Sequence, residues 1–495
     1  MGENIRGGSR TLSPKLWAAI WAGVTLAVLG VVAAGVRLAV REEAKPPVET
    51  LLTAQVTASV PRFAAADPSF NGTGVAVLTG GVGRDVAVDG QGRVVVLGSA
   101  EVEGVPRVAV WRLSPAGRLD PAFGTGGASL VPSAFPAGQQ HTVELGQALA
   151  LDEQGRIVIA GFIQDPEGWM KVAVWRLTPD GSPDREFHGN GRVVLGTALE
   201  PGPDYLGKAV ALDVRGRIVV AGSSRALAIE GRSLQESLGV WRLTDSGQLD
   251  TAFHGSGTLK VPDTRGNALA LDRAGRIVVA GATLGPQGGW SLAVWRFLSD
   301  GSADPQWNEG AVLTPELPGG ALPMAAADVA VAPDGKVVVL GVVYDPHRPS
   351  DEDLNGIQQV GLWRFLADGT PDPAFTPGSG GAAIISGSAG DRGRKTRDFG
   401  RALDLDAQGR ILVAGLSRDR QGRRLLAVWR RTPSGAVDRA WSPDGVAVQG
   451  TPPATQDDQN AVAAGLTADA QGRVLVTGAA SDGKQRYLAV WRIKP

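Results

Sequence analysis

The chain has 495 residues, a formal net charge of −1, 69 glycines and no cysteine. So balanced a charge gives no global pull toward polyanions, so nucleic acid is not an expected partner. Without cysteine there is no disulfide, thiolate metal site, cysteine nucleophile or lipoprotein anchor. Glycine at about twice its usual share, beside ordinary apolar content, points to many short strands joined by tight turns.

The first element is an uncharged run at 16–36, LWAAIWAGVTLAVLGVVAAGV. As a helix rising ~1.5 Å per residue it is long enough for a hydrocarbon core of ~30 Å. It also exceeds the ~7–15 apolar residues of a cleaved signal. The expected organisation is an N-terminal segment (1–15), a single transmembrane anchor (16–40), a proline-bearing linker (41–66) and a large repeat domain (67–495). Arg6, Arg10 and Lys15 precede the run and Arg37, Arg41 and Lys45 follow it. The positive-inside rule therefore barely orients the anchor. The N-terminus is expected inside and the repeat domain on the extracytoplasmic side.

Three motifs recur beyond the linker. A Trp-Arg pair begins at Trp111, Trp175, Trp241, Trp295, Trp363, Trp429 and Trp491. A hairpin of the type LDEQGRIVIAG has its Asp at Asp89, Asp152, Asp213, Asp272, Asp406 and Asp469; the remaining copy has Ala332 there. A D-x-x-[F/W] element starts at Asp67, Asp120, Asp184, Asp250, Asp304, Asp372 and Asp438. Each repeat contains four short runs rich in Val, Ile and Ala, bounded by Gly, Asp or Pro, as in QALALD, RIVIAG, KVAVWRL and RVVLG. Such runs are strands. In the hairpin the Asp can accept from turn amides and the Gly can take the positive φ that closes it.

Four antiparallel strands repeated seven times predict an all-β fold, a seven-bladed β-propeller. The first repeat element, DPSFNGTGVAVL at 67–78, has no Trp-Arg before it, and the last Trp-Arg has no D-x-x-F after it. One blade is thus split between the two ends of the repeat domain. The N-terminal strand closes the last blade and leaves no unpaired partial blade.

The stretches LAVWRLTPDGSPDREF and LDEQGR-type hairpins resemble the delta-60 repeat family of bacterial proteins, and the blade plan is similar to NHL-type propellers. The resemblance covers about 67–495. It implies a propeller-like, envelope-associated protein and no particular activity.

Spacing separates the two faces. Trp to the following Asp is nine residues in all six cases, and the hairpin Asp to its Arg is four. The other two connections vary, from 18 to 27 and from 22 to 34 residues between motif positions. Antiparallel strands put the constant connections on one face and the variable ones on the other. A binding surface is expected on the variable face, since loops carry function on a rigid scaffold. The repeated Trp residues are expected to pack between blades, and the adjoining Arg to pair with a turn Asp or to stack on a Trp.

Catalytic signatures are missing. The four His are His141, His188, His254 and His347, and the middle two occupy one turn position in adjacent repeats. There is no His-x-x-x-His, G-x-S-x-G or P-loop. The glycine-rich stretches precede no helix and are hairpin glycines.

Two loop groups stand out. Loops 386–400 and 416–425 carry net charges of +2 and +3 beside a −3 loop at 342–360. Arg394, Lys395, Arg423 and Arg424 are candidate contacts for an anionic partner. The DEDLNG stretch at 351–356 fits the start of a calcium loop. Asp351, Asp353 and Asn355 would give side-chain oxygens, Ile357 a carbonyl and Gln359 a direct or water-mediated contact. The twelfth position is Leu362 instead of the bidentate Glu of an EF-hand. Trp169, Tyr205, Trp290 and Tyr344 could add stacking surface or cap the sheets.

The expected function is a non-catalytic, membrane-tethered propeller that binds a protein or polysaccharide in the cell envelope. Two alternatives stay open: an envelope hydrolase or lyase with its site over the central channel on the variable face, and a structural surface protein.

Overall fold

The computed structural model describes residues 65–495 except 103, 135–142, 196–203, 227–234, 286–287, 316–321, 346–356, 386–397, 419–423, 450–461 and 482–485. The anchor expected at 16–40 lies outside the described residues. Among the described residues no helix is long and apolar enough to cross a membrane.

Seven antiparallel sheets form seven blades. Strands are lettered a to d outward. The a strands of blades one to seven are Gly81–Val88, Glu144–Leu151, Asp204–Leu212, Thr264–Leu271, Leu322–Val331, Phe399–Leu405 and Val462–Ala468. Each a strand packs against the a strands of both neighbouring blades, so they close a ring around a central channel. The expected closure is present. Val75–Leu78 pairs with Arg486–Ile493 as strand d of blade seven, Val75 opposite Trp491. Pairing starts just before the expected boundary, with Ala66 bridging Ile493.

Blade four departs from the four-strand expectation. Its outer strand shrinks to one bridge between Val294 and Leu313. Pro315 follows closely and offers no N–H to extend the ladder.

The Trp-Arg tryptophans are buried between blades, six of them almost completely. Trp111 of blade one, for example, shares a core with Ala76, Leu78 and Val490 of blade seven. The ring is therefore held by large apolar side chains at each of its joints.

Every a strand also carries a β-bulge at one equivalent position, five residues before the hairpin Asp position. In blade one the register passes from Gly83 opposite Gly98 to Asp85 opposite Leu97, skipping Arg84. The skipped residues in the other blades are Gln147, Lys208, Asn267, Ala327, Arg401 and Ala464. The last residue of the "VAG"-type run on strand b explains why the bulge recurs. A Cβ on Gly222 would sit 1.8 Å from the Leu206 carbonyl oxygen, and one on Gly415 1.8 Å from that of Phe399. Only glycine lets the bulged strand come that close.

Candidate functional site at the channel

On the constant face the repeated polar residues are engaged with one another. The Arg after each Trp donates through Nε to the Asp of its D-x-x-[F/W] element at 2.6–2.8 Å in all seven blades. The same guanidinium lies 4.7–4.9 Å from the centroid of that element's Phe or Trp. The expected ion pair with a turn Asp is found; the stacking partner is the D-x-x-[F/W] ring and not the Trp beside the Arg. The arginine also reaches the next blade, as when Arg112 donates to the Pro179 carbonyl and Arg492 to that of Pro115. Gly181 of that next turn lies flat on Phe123, where a Cβ would come within 2.9 Å of the ring. His188 and His254 both sit at φ 49° in these turns, donating their backbone N–H to the next blade. They are turn residues, as expected. The hairpins are as uniform: in six of them the Asp accepts the N–H two and four residues on and the Arg Nε, the last at 2.5–2.6 Å.

Chemistry that departs from the sevenfold rule lies at the channel. The bulge residues Arg84, Gln147, Lys208, Asn267, Ala327, Arg401 and Ala464 project from the inner strands at one level, yet their types differ. On the side of blades three to five they are tied together. Lys208 Nζ donates to Ser223 Oγ at 3.0 Å and Asn267 Oδ1 at 2.9 Å, and Asn267 Nδ2 donates to the Ala326 carbonyl at 2.8 Å. Burial, followed by the nearby Arg265 charge, lowers the Lys208 ammonium to about 8. Glu236 accepts from Arg265 on both oxygens and from Arg225, and Arg265 lies 3.9 Å over the Trp290 ring.

Further along the a strands, toward the constant face, are three carboxylates. Asp85 accepts the N–H of Val86 and of Leu149 in the next blade, both at 2.8 Å. Asp328 does the same with Val329 and Leu403, and Asp404 with Leu405 and Ala468. Each staples one a strand to the a strand of the next blade. Burial raises Asp85 to about 6 and Asp328 to about 7 despite these donors, and raises Asp404 as well; the negative charges of the trio add to the rise for Asp85 and Asp328. Desolvation is the larger cause for all three.

Of the residues singled out from sequence, Asp351, Asp353, Asn355, Arg394, Lys395 and Arg423 lie outside the described residues, as do His141 and His347. Ile357, Gln359 and Arg424 belong to c strands, Ile357 opposite Asp345 and Gln359 opposite Val343. Among the described residues no group of His, Asp or Glu gathers to hold a metal ion. Tyr205 proves to be core, edge-on to Trp241 at 6.4 Å, while Trp290 carries Arg265. The bulge residues escaped the sequence reading. Their signal was available: aligned on the hairpin Asp, this column mixes Arg, Lys, Gln, Asn and Ala.

The fold and its repeated latches define a seven-bladed β-propeller built of sequence repeats. A family model described as "Domain of unknown function (DUF5122) beta-propeller" matches residues 92–123, 275–306 and 332–375, within blades one, four and five. No curated protein matches the sequence. Similar solved structures include a protein of unknown function from Dyadobacter fermentans, 14% identical, covering 70% of this chain and 93% of that one, with a TM-score of 0.40. The polysaccharide lyase Uly1 is 10% identical over 93% of this chain and 95% of its own, with a TM-score of 0.44. A gluconolactonase from Xanthomonas campestris is 14% identical over 91% and 99%, with a TM-score of 0.35. At this level the neighbours' activities say nothing of this chain's.

Proposed function

We propose that this protein is a non-catalytic propeller of delta-60-like repeats, tethered to a membrane through residues 16–40, that binds a protein or polysaccharide of the cell envelope on its variable-loop face. One observation carries the reading. The polar residues that repeat sevenfold are engaged in holding the blades, whereas among the described residues the polar side chains that break the repeat, such as Lys208 and Asn267, lie on the inner a strands. Arg394, Lys395, Arg423 and Arg424 are the contacts proposed for an acidic partner. Fractionation of producing cells, followed by pull-down with the full chain in mild detergent, tests it. Recovery in the membrane fraction with one stoichiometric envelope component is the expected result; a chain found wholly in the soluble fraction without a companion would overturn it.

The enzyme reading rests on a different observation, that burial raises the proton affinity of Asp85, Asp328 and Asp404 on the inner strands. Against it, each of the three is already bonded to two backbone amides and acts as a staple. Sustained turnover of an envelope polysaccharide, abolished in Asp328→Asn while the fold persists, would establish the enzyme instead.

A further inference from the structure

The ring of bulge residues holds one amine, Lys208 on strand a of blade three. Its Nζ donates to Ser223 Oγ at 3.0 Å and to Asn267 Oδ1 at 2.9 Å, and makes no ion pair among the described residues. Both acceptors are uncharged, and both are held in place. Ser223 donates its own proton to the Gly266 carbonyl at 3.2 Å, and Asn267 Nδ2 donates to the Ala326 carbonyl at 2.8 Å. Lys171 and Lys336, by contrast, have Asp165 at 3.5 Å and Asp334 at 3.1 Å. The carboxylate that acts on Lys208 is Glu236, and it is taken by Arg265 through both oxygens and by Arg225. An ammonium has three N–H groups to satisfy and a neutral amine two. The two fixed acceptors match the neutral form, and its third tetrahedral position then carries a lone pair. The surroundings favour that form too: burial first, then the Arg265 charge, opposed by Glu236 and joined by Arg225, bring the ammonium to about 8. The residue nevertheless keeps part of its surface open to solvent.

We infer that Lys208 is a covalent attachment site for an aldehyde, which enters by the channel and condenses with the Nζ amine to a reversible imine. A lysine desolvated beside other cations is the ordinary form of an activated amine nucleophile. The ammonium first gives one proton to channel water. The Nζ lone pair then forms a bond to the carbonyl carbon, and the C=O electron pair moves to oxygen, which takes up a proton as nitrogen loses one. The resulting carbinolamine loses its hydroxyl with a proton as water, leaving a C=N bond. When that imine is protonated, its single N–H has Asn267 Oδ1 or Ser223 Oγ as acceptor, so the product is held by the groups that held the amine. Water reverses the sequence, so the ligand is captured without being consumed. The aldehyde of a small molecule and that of an open-chain reducing sugar present the same chemistry here. The inference goes beyond the proposed binding face, because it stands on the inner strands of blades three to five alone.

The test uses the purified full chain and two probes, glycolaldehyde as a small free aldehyde and maltotriose as a sugar with a reducing end. Each is incubated with sodium cyanoborohydride, which delivers hydride to the iminium carbon and fixes the adduct as a secondary amine. Peptide mapping by mass spectrometry then compares Lys208 with the exposed Lys494. At pH 7.5 about a quarter of Lys208 is neutral, against roughly 0.1% of an exposed lysine near 10.4. Adduct should therefore form on Lys208 at least about tenfold faster, even after its lower basicity is discounted. Reaction with maltotriose identifies the reducing end of a saccharide as the source; reaction with glycolaldehyde alone identifies a small aldehyde. The rate at Lys208 should level off above about pH 8, whereas that at Lys494 keeps climbing. Asn267→Asp sets a carboxylate against Nζ and holds it as an ammonium, so it should slow the Lys208 adduct at least about tenfold and leave Lys494 unchanged. If that variant does not fold, the pH profile of the parent decides. Labelling of Lys208 no faster than Lys494 by both aldehydes, a pH profile that follows Lys494, or an Asn267→Asp protein that reacts as the parent does overturns the inference.

Discussion

Arg492 Nε and Asp67 Oδ2 are 425 residues apart in the chain and 2.8 Å apart in the ring. The six other blades make the same bond within eight residues, as Arg112 does with Asp120. Blade seven must import its Asp and its ring, Phe70, from the N-terminal strand. The bond that is a local latch elsewhere is here the clasp of the whole propeller.

Breaking that clasp should cost more than breaking a local latch. Asp67→Ala leaves a buried guanidinium unpaired and should destabilise by ~3 kcal/mol or more. Asp120→Ala removes an equivalent pair without opening the ring. We expect its urea midpoint to fall less, and the unfolding of Asp67→Ala to remain one cooperative step. Deleting 65–79 should abolish folding or cause aggregation by exposing the edge of blade seven.

Blade five lacks the hairpin carboxylate. Ala332 stands where six blades have Asp, and Lys336 pairs instead with Asp334 at 3.1 Å and distantly with Asp372 at 3.8 Å. Ala332→Asp with Lys336→Arg should restore two amide bonds and the ion pair. A gain of ~1 kcal/mol is expected, in line with one or two net hydrogen bonds. A thermal melt of the double variant against the parent checks it.

The bulge glycines should tolerate nothing larger. Gly222→Ala drives a methyl into the Leu206 carbonyl and should cost roughly 1–3 kcal/mol, toward the upper end, through overpacking. Gly90→Ala is the control, because nothing lies within 4 Å of the added atom; there the change should stay within about ±0.5 kcal/mol. Equal losses at the two sites would show that the close approach of strands a and b is not what demands glycine.

Stability should fall as pH rises from about 4 through the neutral range. Asp85 and Asp328 hold their protons to about 6 and about 7 in the folded protein, while in the unfolded chain an Asp releases its proton near 3.9. Between those values the folded state binds more protons, so each unit of pH removes stability until the folded groups have ionised. Asp328→Asn takes one group out of the titration and should flatten the fall in melting temperature between pH 5 and pH 8. Its midpoint at pH 5 should be lower than the parent's, because the amide nitrogen faces the N–H of Leu403 or Val329.

The sequence by itself determined the blade number, the strand order within a blade, the split blade and the separation of a constant from a variable face. All follow from spacing along the chain. A nine-residue interval between Trp111 and Asp120, repeated six times, places the same side chain on the same face each time. Burial of the tryptophans and the turn role of His188 and His254 were legible for the same reason. Only the closed ring decided the rest. Lys208 and Asn267 are 59 positions apart in the chain, and nothing in either repeat says that their side chains meet. Asp85, Asp328 and Asp404 look like ordinary strand residues, and their raised proton affinity comes from burial in the wall that seven a strands build, with the other carboxylates adding to it for Asp85 and Asp328, against the opposing pull of the amides. The arginines stack on Phe123 and its equivalents, and not on the neighbouring Trp, because the Trp points into the joint between blades while the D-x-x-F arm folds back over the guanidinium. Local pattern fixes what each blade is; which unlike residues meet in the channel is set by curvature summed over seven blades, a quantity no single repeat contains.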